Sequence, residues 1–272
     1  MGKTVMITGT STGIGNAAAL LFHRKGWNVA ATIRSIEKKP KEFIGLENLK
    51  CFTMDVTDKK EIEQAVRDII NEFGTIDTLV NNAGVYSTGP LEAISDCEIR
   101  HIFEVNVQGT INVTKVLIPY LRRQKKGTII NVSSIAGKVT FPFQSLYHGS
   151  KWAIEGFSQG LAHELKEFGI RVKTVAPGMV KTHFYDHVFT IPENGNTDAY
   201  KKSFTRWHAY LMGNFEKGYG PEESAKTIYK AATDKHAKLT YAAGLDTKMV
   251  FFLKQIMPHC LFNSIVRRSV GI

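Results

Sequence analysis

Residues 3–15 read KTVMITGTSTGIG, an apolar, β-branched run that ends in three glycines, Gly9, Gly13 and Gly15, and passes straight into the alanine-rich NAAALLFHR. The run predicts a strand covered on both faces, and the segment after it a helix. Glycines between the two let the backbone turn tightly and approach a pyrophosphate, which then rests at the positive end of the helix. GxxxGxG is a variant of the dinucleotide-binding pattern, and its place directly after the first strand gives it weight. Ser11, Thr12 and Ile14 lie in the same turn and share the expected contact.

Outward from that turn the alternation repeats. WNVAATIR (27–34), LKCFTMD (49–55), IDTLVNNAG (76–84), GTIINVSS (127–134), IRVKTVAPG (170–178) and KLTYAAG (238–244) read as strands. Helical segments separate most of them: DKKEIEQAVRDIINEFG (58–74), about 95–123, about 145–168, and PEESAKTIYKAATD (221–234) with its proline and acids at the start. Strand and helix in turn mean an α/β fold: a doubly wound parallel sheet of Rossmann type with helices on both faces and its ligand at the carboxyl ends of the strands. Residues 1–272 are expected to form a single domain. About 181–220 break the rhythm as a loop or short-helix insertion suited to substrate binding. About 245–272 form an apolar, basic tail with a break at Pro258.

At 43% hydrophobic, 272 residues can bury a full core, and no run of 18 apolar residues is present. No export leader is expected. Cys51, Cys97 and Cys260 fall in no CxxC spacing, which suits a reducing, cytoplasmic location. The formal charge of +10 fits a polyphosphate cofactor or an anionic membrane surface. It is diffuse: RRQKK (122–126) and EKKPK (37–41) are short and not interleaved with aromatics, so no nucleic-acid partner is expected. Nor is a metal, because no cysteine or carboxylate pair completes the spacing of His183 and His187.

At the end of the second strand, where NAD-binding folds place an acid for the ribose hydroxyls, stands Arg34. A guanidinium there pairs with a 2′-phosphate, so NADP(H) is preferred over NAD(H). Asp55, with Val56 after the third strand, is placed to accept from the adenine amino group; Thr57 or Asp58 can fill the competing role of helix cap. In YHGSK (147–151), Tyr147 and Lys151 are one helical turn apart, and an ammonium beside a phenol favours the phenolate.

Together these residues resemble the short-chain dehydrogenase/reductase family. The matching motifs are TGTSTGIG (8–15), DV (55–56), NNAG (81–84), Asn106 in EVNVQG, NVSS (131–134), YHGSK (147–151) and PGMVKT (177–182), in the family's order and over about two thirds of the chain. The resemblance implies that Tyr147 is the general acid/base, that Lys151 lowers its pKa and holds the nicotinamide ribose, that Ser134 bonds the reacting oxygen, and that Asn106 anchors a water behind Lys151. It implies that Asn82, Ala83 and Gly84 line the cofactor, and that Pro177, Gly178, Val180 and Thr182 meet the nicotinamide. A weaker similarity links VAATIRS and the ending to the 17β-hydroxysteroid and retinol dehydrogenase subgroup. A homodimer or homotetramer through the long helices is also implied.

Apolar or aromatic residues flank these positions: Val85, Tyr86, Phe141, Phe143, Met179 and Phe184, with Pro142 and Tyr185 beside them. Lining a pocket with Ser134, they favour a small, largely apolar carbonyl or alcohol as substrate. Two rival readings stand beside this one: a non-catalytic NADP(H)-sensing protein, and a membrane-surface retinoid or steroid dehydrogenase whose tail lies on lipid. Residues 221–272 carry 8 Lys/Arg against 4 Asp/Glu, which suits the second.

Overall fold

All six β-branched runs named above, and the opening run, become strands of one sheet whose middle is buried on both faces; the computed structural model describes residues 2–185 and 198–271. The strands are β1 (Thr4–Thr8), β2 (Asn28–Ile33), β3 (Leu49–Thr53), β4 (Thr78–Asn81), β5 (Gly127–Val132), β6 (Ile170–Pro177) and β7 (Thr240–Ala243). Their order is β3-β2-β1-β4-β5-β6-β7 and every pair is parallel. Ile7 in β1 sits between Ala31 in β2 and Val80 in β4. The strand order reverses between β1 and β4, and the chain diverges there to open a crevice at the carboxyl ends.

Helices cover both faces. On one, α1 (Gly13–Arg24) packs against α7 (Pro221–Thr233) through Phe22, Ile228 and Ala231. Phe22 meets Trp27 and Tyr229 edge-on, with ring centres 5.0 and 5.2 Å away. On the other, α2 (Lys59–Phe73), α4 (Thr110–Gln124) and α5 (Ser145–Glu164) bury Ile62, Val66, Leu117, Leu121 and Leu161 against the sheet. Asp58 caps α2 by accepting from the Lys60 and Glu61 amides, which frees Asp55 from that task.

Two expectations are corrected. The helix expected over about 95–123 is divided: α3 (Asp96–Phe103) and α4 flank a π-helical turn, Glu104–Gly109, which re-aims Asn106. Within the expected loop or short-helix insertion, residues 198–216 form one helix of 19 residues, α6 (Asp198–Glu216), longer than expected because Phe204, Trp207 and Leu211 recur at helical spacing and bury one face. The tail folds into α8 (Leu245–Ile256) and α9 (His259–Val270), with Pro258 at the break.

Phe22 joins α1, the strand-two entrance and α7. Phe22→Ala is expected to lower unfolding free energy by about 3–5 kcal/mol; a urea titration showing a loss below about 1 kcal/mol would mean that the layers rearrange to fill the space.

Candidate active site

A cavity of about 410 Å³ opens at the carboxyl ends of β1 and β4. The glycine turn forms its floor. Gly9 has φ +68°, and a Cβ there would lie 2.9 Å from the Ala83 Cα; one on Gly15 would lie 2.3 Å from the Gly9 carbonyl oxygen. Only glycine permits this closeness. The Asn82 side-chain amide donates to the Thr8 and Gly9 carbonyls at 2.9 and 3.0 Å, while the Thr8 hydroxyl accepts from the Asn82 and Ala83 amides, both at 2.9 Å. At the start of α1, Thr12 makes no side-chain cap and the first turn holds no acid, so its N–H groups are free for an anion.

Ser11, Thr12, Gly13, Ile14, Asn82, Ala83 and Gly84 line the cavity, with Arg34, Asp55 and Val56 at one end. Gly15 does not line it and instead fixes the turn from beneath. Arg34 is exposed at the rim, and Glu37 on the same loop is engaged by the Ser35 hydroxyl. Asp55 accepts from the Thr57 amide and hydroxyl at 2.8 and 2.7 Å. Across the cavity stand Pro177, Gly178, Val180 and Thr182. The whole lining fits an elongated dinucleotide: close-approach glycines and unpaired amides for the pyrophosphate, a cation at one end, donors and acceptors at the other.

Tyr147 and Lys151 face the cavity from α5, and both are buried. The Lys151 Nζ donates to the Val132 carbonyl at 2.9 Å and stands 5.8 Å from the centre of the Tyr147 ring. Burial pushes the Tyr147 phenol up to about 12, with the Ser134 hydroxyl facing it pulling down. This is the opposite of the expected lowering, because desolvation of a phenolate outweighs its neighbours. Burial also takes Lys151 down to about 8, against an upward pull from Glu155 one turn further along α5. Glu155 is itself buried, accepting from Thr174 at 3.3 Å and standing 3.8 Å from Lys138.

Asn106 does not line the cavity. From the π turn its Oδ1 accepts from the Val85 amide at 2.8 Å, and its Nδ2 donates to the Val85 carbonyl at 2.9 Å and the Ser150 hydroxyl at 3.1 Å. It thus ties the NNAG turn to α5 beside Lys151. Both serines of NVSS reach the wall, with Ser134 toward Tyr147 and Ser133 toward Gly137. His148 turns the other way: it is buried, close to the Ala136 carbonyl at 2.9 Å and the Phe141 amide at 2.8 Å, and burial holds its pKa low.

Val85, Tyr86, Phe184 and Tyr185 gather around Tyr147 at the other end of the cavity. The Tyr86 and Tyr147 rings are 5.0 Å apart edge-on, and Tyr185 packs on Tyr86 at 5.1 Å. Phe141, Phe143 and Met179 are absent from this wall. Phe141 lies beside the His148 ring at 6.0 Å. Phe143, at φ +58°, is drawn toward Phe204 and Trp207 of α6, with Met179 packed on the same cluster. Packing against α6 removes Phe143 and Met179 from the cavity, and the contact with His148 removes Phe141. His187 lies outside the described residues.

The family model for short chain dehydrogenases matches residues 3–190. The chain belongs to the short-chain dehydrogenase family. It is 34% identical over 249 residues to the 3-ketodihydrosphingosine reductase of Bacteroides thetaiotaomicron, covering 92% of this chain and 90% of that one. With bovine retinol dehydrogenase 8 it shares 34% over 284 residues, 95% and 90% covered. Among solved structures, a short-chain dehydrogenase from Streptomyces avermitilis superposes with a TM-score of 0.84 at 29% identity, covering 99% and 98%. ElxO, solved with NADP bound, gives 0.74 at 29%, covering 89% and 98%.

This dehydrogenase also positions its site with residues that no motif marks. The Tyr219 hydroxyl accepts from the Gly178 amide at 3.0 Å and donates to the Ala243 carbonyl at 2.8 Å, and the Asp246 carboxylate accepts from the Met179 amide at 3.2 Å. His101 and Glu104 reach the lining from α3 and the π turn. The only sequence signals are the glycines beside Tyr219 and an acid after Gly244; neither specifies a partner.

An ammonium held in this site costs stability that a thioether does not. Lys151→Met is expected to stabilise the cofactor-free dehydrogenase at pH 7 by about 1–3 kcal/mol, net of the lost bond to Val132. The penalty is complete below about 8, where folded and unfolded lysines are both charged, and it fades between about 8 and the ordinary 10.5 as the folded lysine sheds its proton first. Urea midpoints at pH 7 and 10.5 check this; a variant weaker at pH 7, or an undiminished gain at 10.5, contradicts it.

Proposed function

We propose that this short-chain dehydrogenase is an NADP(H)-dependent carbonyl reductase or alcohol dehydrogenase for a largely apolar substrate, with Tyr147 as its general acid/base. The convergence of Ser134, Tyr147 and Lys151 on one end of a dinucleotide-shaped cavity carries the reading. A nicotinamide cofactor, when bound, supplies or accepts the hydride. In the reducing direction Tyr147 gives its proton to the substrate oxygen while Ser134 donates a hydrogen bond to the same atom, and both lower the barrier as charge develops there. Lys151 holds the ribose and, as an ammonium, supports the phenolate that Tyr147 becomes. Asn106 is a positioning residue that fixes Val85 and α5.

Arg34 at the rim supports NADP(H), as does the similarity to a dehydrogenase solved with NADP. The aromatic wall of Tyr86, Phe184 and Tyr185 supports an apolar substrate, in keeping with relatives named for a ketodihydrosphingosine and a retinol. A merely cofactor-sensing protein has no need of an intact Ser134, Tyr147 and Lys151. Copies of the chain would pair through α4 and α5, which light scattering can test.

NADPH oxidation by the purified protein is to be measured against long-chain ketones, steroids, retinal and 3-oxoacyl thioesters. Tyr147→Phe is expected to lower kcat by at least about 100-fold with NADPH binding nearly intact; undiminished turnover in that variant sinks the mechanism. Arg34→Ala is expected to weaken NADPH binding by roughly tenfold or more while barely changing NADH binding. Equal losses in fluorescence titrations would remove the 2′-phosphate contact from Arg34.

A further inference from the structure

α8 presents its apolar stripe to solvent. Leu245, Met249, Phe252 and Ile256 follow one another at intervals of four, three and four residues, so they lie along one line of the helix, and each is between 60% and 82% exposed. The inward side of α8 is formed instead by Thr247, with Val250, Phe251 and Lys254 partly covered. α9 adds exposed Leu261 and Ile265, one turn apart. A helix on the body of a globular protein normally turns such a stripe inward, and large exposed apolar patches mark interaction surfaces.

The charges that α8 and α9 turn outward have one sign. Lys248, Arg267 and Arg268 are exposed, and Lys254 stands 5.0 Å from the ring of the half-exposed Trp152 on α5. The sole acid in 245–271, Asp246, is turned inward onto the Met179 amide.

We propose that α8 and α9 are a docking surface for an anionic lipid bilayer. Such a surface supplies apolar depth for the stripe and negative headgroups for the cations. A second copy of the chain is a poorer occupant: an isologous contact would set these cations against their own counterparts with no outward carboxylate in α8 or α9 to offset them. None of the described helices is long and apolar enough to cross a membrane, so the pair lies on the surface. α9 packs on α6 through Val270, beside Phe204 and Trp207, and α8 begins at the Met179 contact. The docked face therefore adjoins the elements that bound the aromatic end of the cavity. Docking needs no turnover, so a chain inactive toward every carbonyl would still show it.

Flotation of the full chain with vesicles of phosphatidylcholine alone, or with about 30% phosphatidylserine, tests the proposal. The wild type is expected to bind the anionic vesicles at least about tenfold better, and less well as salt rises. Met249→Glu with Phe252→Glu should abolish that binding without changing Tm, whereas Ile44→Glu, which alters an exposed isoleucine elsewhere, should leave it intact. No flotation by the wild type, or flotation unchanged in the double variant, overturns the proposal. So does a wild-type oligomer that the double variant dissolves, since the stripe would then be a contact between copies.

Discussion

One side-chain amide holds the two halves of the sheet in register where they part. Asn82 reaches back from the end of β4 to the carbonyls at the end of β1, and the Thr8 hydroxyl returns the contact to two amides of the NNAG turn. A crevice at a switch point needs backbone groups that belong to no ladder, and those groups cost free energy unless something pairs them. Here the pairing also sets the height of the glycine turn and hence the floor of the cavity. Asn106 repeats the device one layer out, satisfying both backbone groups of Val85 and reaching α5.

Against that floor the Tyr147 end of the cavity is electrostatically tense. A lysine and a tyrosine share a buried wall, and burial disfavours the charged form of each, lowering one pKa and raising the other. Both shifts oppose charge in this wall: the phenol keeps its proton at neutral pH, and the ammonium holds its own less firmly than in water. Glu155 supplies a counter-charge from within the same helix, at the distance of one turn.

The strands, most helices and the cofactor turn were legible because their signals are local: apolar runs covered on both faces, and glycines where backbones nearly touch. The π turn at 104–109 was not, since the apolar spacing continues smoothly through it and only tertiary bonding from Asn106 reveals the extra residue. The length of α6 was hidden by lysines and scattered aromatics that blur its one buried face, so that only a loop or short helix was legible. Which aromatics would line the cavity was equally hidden, as Phe143 and Phe184 look alike until α6 claims one of them. Tyr219 and Asp246 are invisible for the same reason: they hold the Gly178 and Met179 amides from 41 and 67 residues away in sequence.

Those last two contacts bear on how the chain is made. The Gly178–Met179 backbone beside the cavity is held by residues that leave the ribosome long after β1 and the glycine turn, and β7, beside which they sit, is the last strand of the sheet in sequence. A nascent chain can assemble the glycine turn early, yet this side of the cleft is not held until residues 219–246 have been made. A chain that stops before Tyr219 would lack both of the contacts that hold the Gly178 and Met179 amides.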